Sequence, residues 1–223
     1  MSDAVFVKTY AAPPIDEREI LRYAGCGGQA DEKISVLLQE TLAETEKGFS
    51  YRVCYREITL TDFYGYCLEA KTSKDLRAHL HGCEKAVLFC ATVGLDIDRK
   101  ILGYGAVSPA KGVLAQAIGA ERIESLCNAF YRDLQKEYPQ NSLTDRYSAG
   151  YGDFPLTAQR GIFALLNCAK RIGVTLTESL LMSPTKSVSA IIGIKRERTE
   201  ENSACKKNCA ACGKEDCIFR ING

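Results

Sequence analysis

The chain has 223 residues, 46% of them hydrophobic, which suits one sizeable core or a core with a small appendage. Its 29 basic side chains balance 28 acidic ones, so the broad positive surface of a nucleic-acid binder or polybasic membrane binder is excluded, and small molecules or proteins are the expected partners. No apolar run approaches the roughly 20 residues that span a bilayer, and the first residues lack the basic start and apolar stretch of a leader, so the expected location is the cytoplasm.

In chain order, Asp16 to Ala24 reads as a short helix, ended by the glycines of GCGGQ, residues 25–29. From Asp31 to Lys47, Ile34, Leu37, Leu38 and Leu42 recur with helical spacing until Gly48 stops them. Arg52 to Leu60 alternates as a strand, and TDFYGYCLEA, residues 61–70, is expected to return as its hairpin partner with a turn near Gly65. Ser73 is a natural N-cap for a short helix through KDLRAHL. KAVLFCATVG, residues 85–94, is a continuous apolar run bounded by glycine, as a buried central strand would be. His79 and His81 lie near Cys83, but residues two apart on a helix point to different faces, so a solvated helix end is expected there rather than a metal site.

The longest helical pattern runs from Pro109 to about Lys136, with Val113, Ala117, Ile123, Cys127, Phe130 and Leu134 as its apolar stripe. Small residues crowd its first half (Gly112, Ala115, Ala117, Gly119, Ala120), which permits close approach of a strand or a ligand. A second helix is expected over Thr157–Ile172, closed by Gly173. VTLTESLLM and SVSAIIGIK then flank a turn at SPTK and read as a hairpin. Helices interrupting strands with hairpin-type connections imply an α+β fold, with a twisted, largely antiparallel sheet and flanking helices. Beyond Lys195 the text turns polar and then cysteine-rich, dividing the chain into a main domain, 1–198, and a small tail, 199–223.

Between the two long helical patterns lies DRYSAGYGDFP, residues 145–155. Arg146 offers a planar fork for a carboxylate or phosphate, and Gly150 and Gly152 let main-chain groups approach a flat ligand. The plainer alternative is an interhelical loop in which Arg146 pairs with Asp145 or Asp153.

RYSAGYGDFP, a following helix, and then LTESLLMSPTKSVS resemble the activation domain of cobalamin-dependent methionine synthase. That family's signature is Arg-x-x-x-Gly-Tyr, a proline, a helix, Leu-Thr-Glu-Ser, a proline-containing turn and Ser-Val-Ser. The likeness covers Arg146 to Ser189 in order and reaches more loosely over residues 50–195. It implies S-adenosylmethionine bound in a shallow groove beside a twisted sheet. Arg146 would take the methionyl carboxylate, main-chain groups near Ser148 and Gly150 the adenosyl part, and Tyr151 would shape the groove. Glu124 is the best-placed match for a glutamate the family carries on the long helix; the alternative is an ordinary exposed helix glutamate. The family's N-terminal aspartate has no evident equivalent, and its tyrosine beyond Ser-Val-Ser is absent from AIIGIKRER.

The resemblance further implies support for reductive methylation of cob(II)alamin on a separate partner, a cobalamin-dependent methionine synthase lacking this domain or a related corrinoid methyltransferase. The chain itself shows no Asp-x-His-x-x-Gly cobalamin signature, and its two histidines read HLHG. Cobalamin is therefore expected only on the partner, which completes the methyl transfer. A non-catalytic module that senses S-adenosylmethionine or caps a corrinoid protein, with a structural zinc knob, is the alternative.

Of the eleven cysteines, seven sit in patterns typical of element interiors, where a free cysteine acts as a small apolar residue. The other four, Cys205, Cys209, Cys212 and Cys217, are spaced C-x3-C-x2-C-x4-C and are expected to hold one metal centre, either zinc or an iron-sulfur cluster. Because the implied reaction consumes an electron, the cluster is favoured. Lys206, Lys207 and Lys214 would then help dock an acidic flavodoxin or ferredoxin as electron donor.

Overall fold

The computed structural model describes residues 4–196. The cysteines at 205, 209, 212 and 217, the adjoining lysines and the expected boundary at 198 lie outside the described residues. Five strands form one antiparallel sheet in the order β1-β2-β3-β7-β4: β1 (Phe6–Tyr10), β2 (Tyr51–Thr59), β3 (Cys83–Thr92), β4 (Ser142–Leu143) and β7 (Ser187–Lys195). The fold is α+β, as expected from the sequence. Cys54, Cys90 and Ser189 stand abreast across β2, β3 and β7, and so do Val53, Ala91 and Val188.

Both faces of the sheet are covered, which is why β3 reads as an unbroken apolar run. One face, with Cys54, Ile58, Leu88, Cys90 and Ile191, packs under α3 (Leu60–Tyr66), α4 (Lys74–His79), α7 (Gln159–Leu166) and α8 (Cys168–Ile172). The other, with Val53, Val87, Phe89, Ala190 and Ile192, packs on Ile97 of α5 (Asp96–Val107) and on Leu126, Cys127 and Phe130 of α6 (Pro109–Glu137). A third cluster joins α6 to α1 (Glu17–Tyr23) and α2 (Glu32–Thr45) through Ile20, Leu38, Leu42, Leu114 and Ile118.

Local signals set the starts of three helices. Asp16, Asp31 and Ser73 accept hydrogen bonds from the main-chain N–H groups of Glu19, Ile34 and Leu76. Among the described residues no helix is long and apolar enough to cross a membrane.

Several expectations are corrected. Residues 61–70 do not return as a hairpin strand: Thr59 caps α3 by accepting from Asp62 N–H, and a 3-10 turn over Leu68–Thr72 follows. Phe63, Cys67 and Ala70 are buried there, so the apolar positions serve a helical face, while β2 pairs with the distant β1 and β3. SPTK does not join two paired long strands. Within residues 174–183, β5 (Thr175–Leu176) pairs with β6 (Met182–Ser183), and β7 is instead the partner of β3. The helix over 157–172 breaks at Asn167, whose φ of 49° separates α7 from α8. Val113 is 53% exposed rather than part of the stripe, because Leu114 and Ala115 take the inward positions. The small residues of α6 serve packing: a Cβ on Gly119 would lie 2.9 Å from Lys186 Cε and 3.1 Å from Ile97 Cγ1.

Candidate functional site

The loop from Asp145 to Pro155 leaves the short edge strand β4 and stays tied to the sheet. Tyr147 exchanges two main-chain hydrogen bonds with Ile191 of β7, N–H to O at 3.0 and 2.9 Å, and this bridge fixes where Arg146 points. Arg146 reaches across to α6. Its Nη2 donates to Glu124 Oε2 at 3.0 Å and to Asn128 Oδ1 at 3.1 Å. Glu124, Cys127 and Asn128 share one face of α6, three and four residues apart. Two of the five guanidinium donors are used in these bonds. Burial opposes the Arg146 charge, but Cys127 and Glu124 beside it outweigh burial and hold its pKa above the ordinary arginine value. Burial also pushes the Cys127 thiol up to about 12, so it remains a protonated core group.

The rest of the loop is a compact turn. Gly150, at φ 95°, donates its N–H to Phe154 O at 2.8 Å, and Tyr151 N–H reaches Ser148 O at 3.2 Å. Ser148 N–H and Gly150 C=O have no protein partner among the described residues, whereas Ser148 C=O and Gly150 N–H are consumed within the loop. Tyr151 is 59% exposed and stands edge-on to Tyr147, with ring centroids 6.0 Å apart. Gly152, at φ 52°, has no room for a side chain, because a Cβ there would run into the Asp75 carboxylate and sit 2.9 Å from Tyr147 Oη.

Helix α4 is held at both ends by this loop. At its start, Asp153 accepts from Ser73 Oγ at 2.5 Å, Lys74 N–H at 2.7 Å and Asp75 N–H at 3.1 Å, while Asp75 Oδ2 accepts from Asp153 N–H. At its end, His79 Nε2 lies 2.8 Å from Asp145 O and its ring rests 4.8 Å from that of Tyr147. His79 is thus a loop contact rather than a purely solvated helix end. No cluster of three metal-ligating side chains occurs among the described residues.

The Ser73 hydroxyl and then the Lys74 N–H hold the Asp153 carboxyl below the usual carboxylate range. A depressed folded-state pKa means that this anchor is at full strength above the unfolded value of about 4 and is lost as pH falls through the lower folded value. Acid titration followed by the Tyr147 and Tyr151 ring signals should show the loop loosening in that window, and Asp153→Asn should remove this step. A step of unchanged size in the variant would rule Asp153 out as its cause.

A polar groove of about 550 Å³ adjoins Asn128, the Arg146 partner, while Arg146 and Glu124 themselves are not among its lining residues. Its walls are Ser125, Asn128 and Arg132 of α6 and the strap Pro13–Arg18 that leads into α1. Asn128 belongs both to this wall and to the Arg146 contact. Tyr23, at the end of α1, has its pKa raised by burial and then by Glu124, which brings α1 to the same corner. Sequence reasoning missed the strap; its only signal was the Pro13-Pro14 pair just before a capped helix. A second hollow, about 420 Å³ and mostly apolar, lies between α2 and α5 against Thr45, Gly48, Arg99 and Tyr104; neither hollow is lined by Glu124, Arg146, Ser148, Gly150 or Tyr151.

Residues 128–202 match the family model of the vitamin B12 dependent methionine synthase activation domain. None of the curated proteins matches the chain. Among solved structures, the fold is similar to the crystal structure of the MetH reactivation domain bound to AdoHcy, with TM-score 0.62 and 16% identity over 88% of this chain and 80% of that one. A curled five-stranded antiparallel sheet, with the Arg-x-x-x-Gly-Tyr loop beside the long helix, thus gives this chain the fold of the methionine synthase activation domain, and residues 128–202 carry that family's sequence pattern.

Proposed function

We propose that the protein binds S-adenosylmethionine in the groove beside Arg146 and presents its methyl group for reductive methylation of cobalamin on a corrinoid protein, with methionine synthase the first client to test. The observation that carries this reading is the contact of Arg146 with Glu124 and Asn128 of α6, where Asn128 is also part of the wall of a groove of about 550 Å³. That volume falls in the range of small-molecule sites. An arginine next to a glutamate complements the two charges of an α-amino acid: the guanidinium keeps donors for the carboxylate, and Glu124, at 42% side-chain exposure, can accept from the ammonium. Ser148 N–H and Gly150 C=O are the main-chain groups left for the nucleoside, and Tyr151 forms its exposed wall. The AdoHcy carried by the structurally similar domain supports the same ligand class, being S-adenosylmethionine without its methyl group.

The chain's contribution is positioning. Arg146 and Glu124 fix the amino-acid end, and the turn at 148–151 fixes the nucleoside, so the sulfonium methyl is oriented before a partner docks. The partner's cobalamin supplies the bond-making chemistry once reduced, and S-adenosylhomocysteine remains in the groove. The four tail cysteines form a thiolate donor set suited to zinc or an iron-sulfur cluster. A cluster there would serve electron entry from a flavodoxin or ferredoxin, and metal analysis with an anaerobic absorption spectrum separates the two. The function is tested by mixing the protein with a corrinoid methyltransferase held as cob(II)alamin, a reductant and methyl-labelled S-adenosylmethionine. Label is expected on cobalt only when this protein is present; equal labelling without it would refute the proposal.

A further inference from the structure

The buried centre of α6 holds an ion pair that the ligand contacts do not use. Glu121 and Arg122 are both 2% exposed. Arg122 Nε donates to Glu121 Oε2 at 2.5 Å and Nη2 to Glu121 Oε1 at 2.7 Å. The same guanidinium reaches across to the strap, Nη1 to Pro13 O at 2.6 Å and Nη2 to Pro14 O at 2.8 Å, so four of its five donors are engaged. Glu121 Oε1 also accepts from Asp16 N–H at 3.3 Å and from Ser125 Oγ at 2.5 Å.

The chemistry of the two sides is matched. Two consecutive prolines have no N–H, so this piece of backbone offers carbonyls only, and arginine is a side chain that has donors only. A single guanidinium can hold both carbonyls because its fork is planar and rigid. Glu121 cancels the charge and accepts from the strap N–H of Asp16, whose side chain then caps α1. Pro13, Pro14, Asp16 and Ser125, all touched by this pair, line the groove. Burying two charges is a weak source of stability, since apolar replacements of similar volume are often neutral, so a pair kept here calls for another role.

We propose that Glu121 and Arg122 are positioning residues for the ligand groove, fixing the Pro13–Asp16 strap against α6 so that the groove's second wall stands ready before S-adenosylmethionine arrives. This rests on the groove reading above. Prior ordering of a wall removes an entropic cost from binding and leaves later chemistry untouched.

The test replaces both charges, Glu121→Leu with Arg122→Met, in the full chain. The double variant should keep the parent's unfolding midpoint in urea, while S-adenosylmethionine affinity by calorimetry falls at least tenfold. Saturating S-adenosylmethionine should restore the parent's methyl-transfer rate, a KM effect without a kcat effect. Hydrogen exchange should speed at least tenfold at residues 15–18 and stay unchanged in β3. Arg122→Lys, which keeps the charge but cannot span both carbonyls, should fall between parent and double variant, and it carries the same readouts if the double variant does not fold. Parent-like affinity, or strap amides that exchange as in the parent, overturns the proposal. If the parent itself binds no S-adenosylmethionine, the functional reading fails, and the exchange experiment alone decides the positioning role.

Discussion

Arg146→Ala is expected to weaken S-adenosylmethionine binding about 100-fold, or ~2.7 kcal/mol, within the range found for hydrogen bonds to charged groups. The reason is geometric as well as electrostatic. The Tyr147–Ile191 bridge aims Arg146 at α6, and no other described cation contacts both Glu124 and Asn128. Removing it leaves Glu124 alone at the corner, where its own charge would repel the incoming carboxylate. Stability should change little, because Glu124 is 42% exposed and water can solvate it. Arg146→Lys should recover part of the loss, about tenfold, since it restores the charge without the planar fork. Calorimetric titration decides the matter: an Arg146→Ala protein that binds like the parent removes the site, and with it the proposed function.

The second large effect falls on stability. Phe130→Ala should cost about 3–5 kcal/mol, because the ring is fully buried and its removal leaves a cavity the rigid sheet cannot close. Its neighbours are large: Phe89 of β3 lies 5.0 Å away between centroids and Tyr55 of β2 lies 5.2 Å away. The melting temperature should fall by roughly 10 °C, measured by calorimetry. Val113→Ala on the same helix, at a position 53% exposed, should change stability by less than about 0.5 kcal/mol. If the two variants melted alike, the assignment of α6's inward face would be wrong.

Elements whose signals are local were legible in the amino-acid order. The N-caps Asp31 and Ser73 and the continuous apolar run of β3 announced their structures because the physics acts within a few residues. β1 was missed because FVKTY is an edge strand with partly exposed residues on both faces, which weakens the alternation a strand normally shows. The hairpin expected at 61–70 failed for a different reason. Aromatic residues there suggest a strand, but burial of Phe63, Cys67 and Ala70 against the sheet favours a helical path that Thr59 then caps. In the site, Arg146 and Glu124 were both singled out from the sequence. Asn128, the strap at 13–18 and the grip of Asp153 on α4 were not, since each depends on contacts between segments 18 to 109 residues apart.

What the chain's order determined unaided was a set of local commitments: the long helix from Pro109, a buried central strand, the glycine-permitted turn after Arg146, and the motif that relates residues 146–189 to one family. What tertiary structure decided was which of these meet. β7 joins β3 rather than its neighbour in sequence, and that pairing carries Tyr147 to Ile191 and Arg146 to α6. The physical reason is that local rules act through one turn or one cap, whereas a groove forms only where distant surfaces are brought together by burying a shared core.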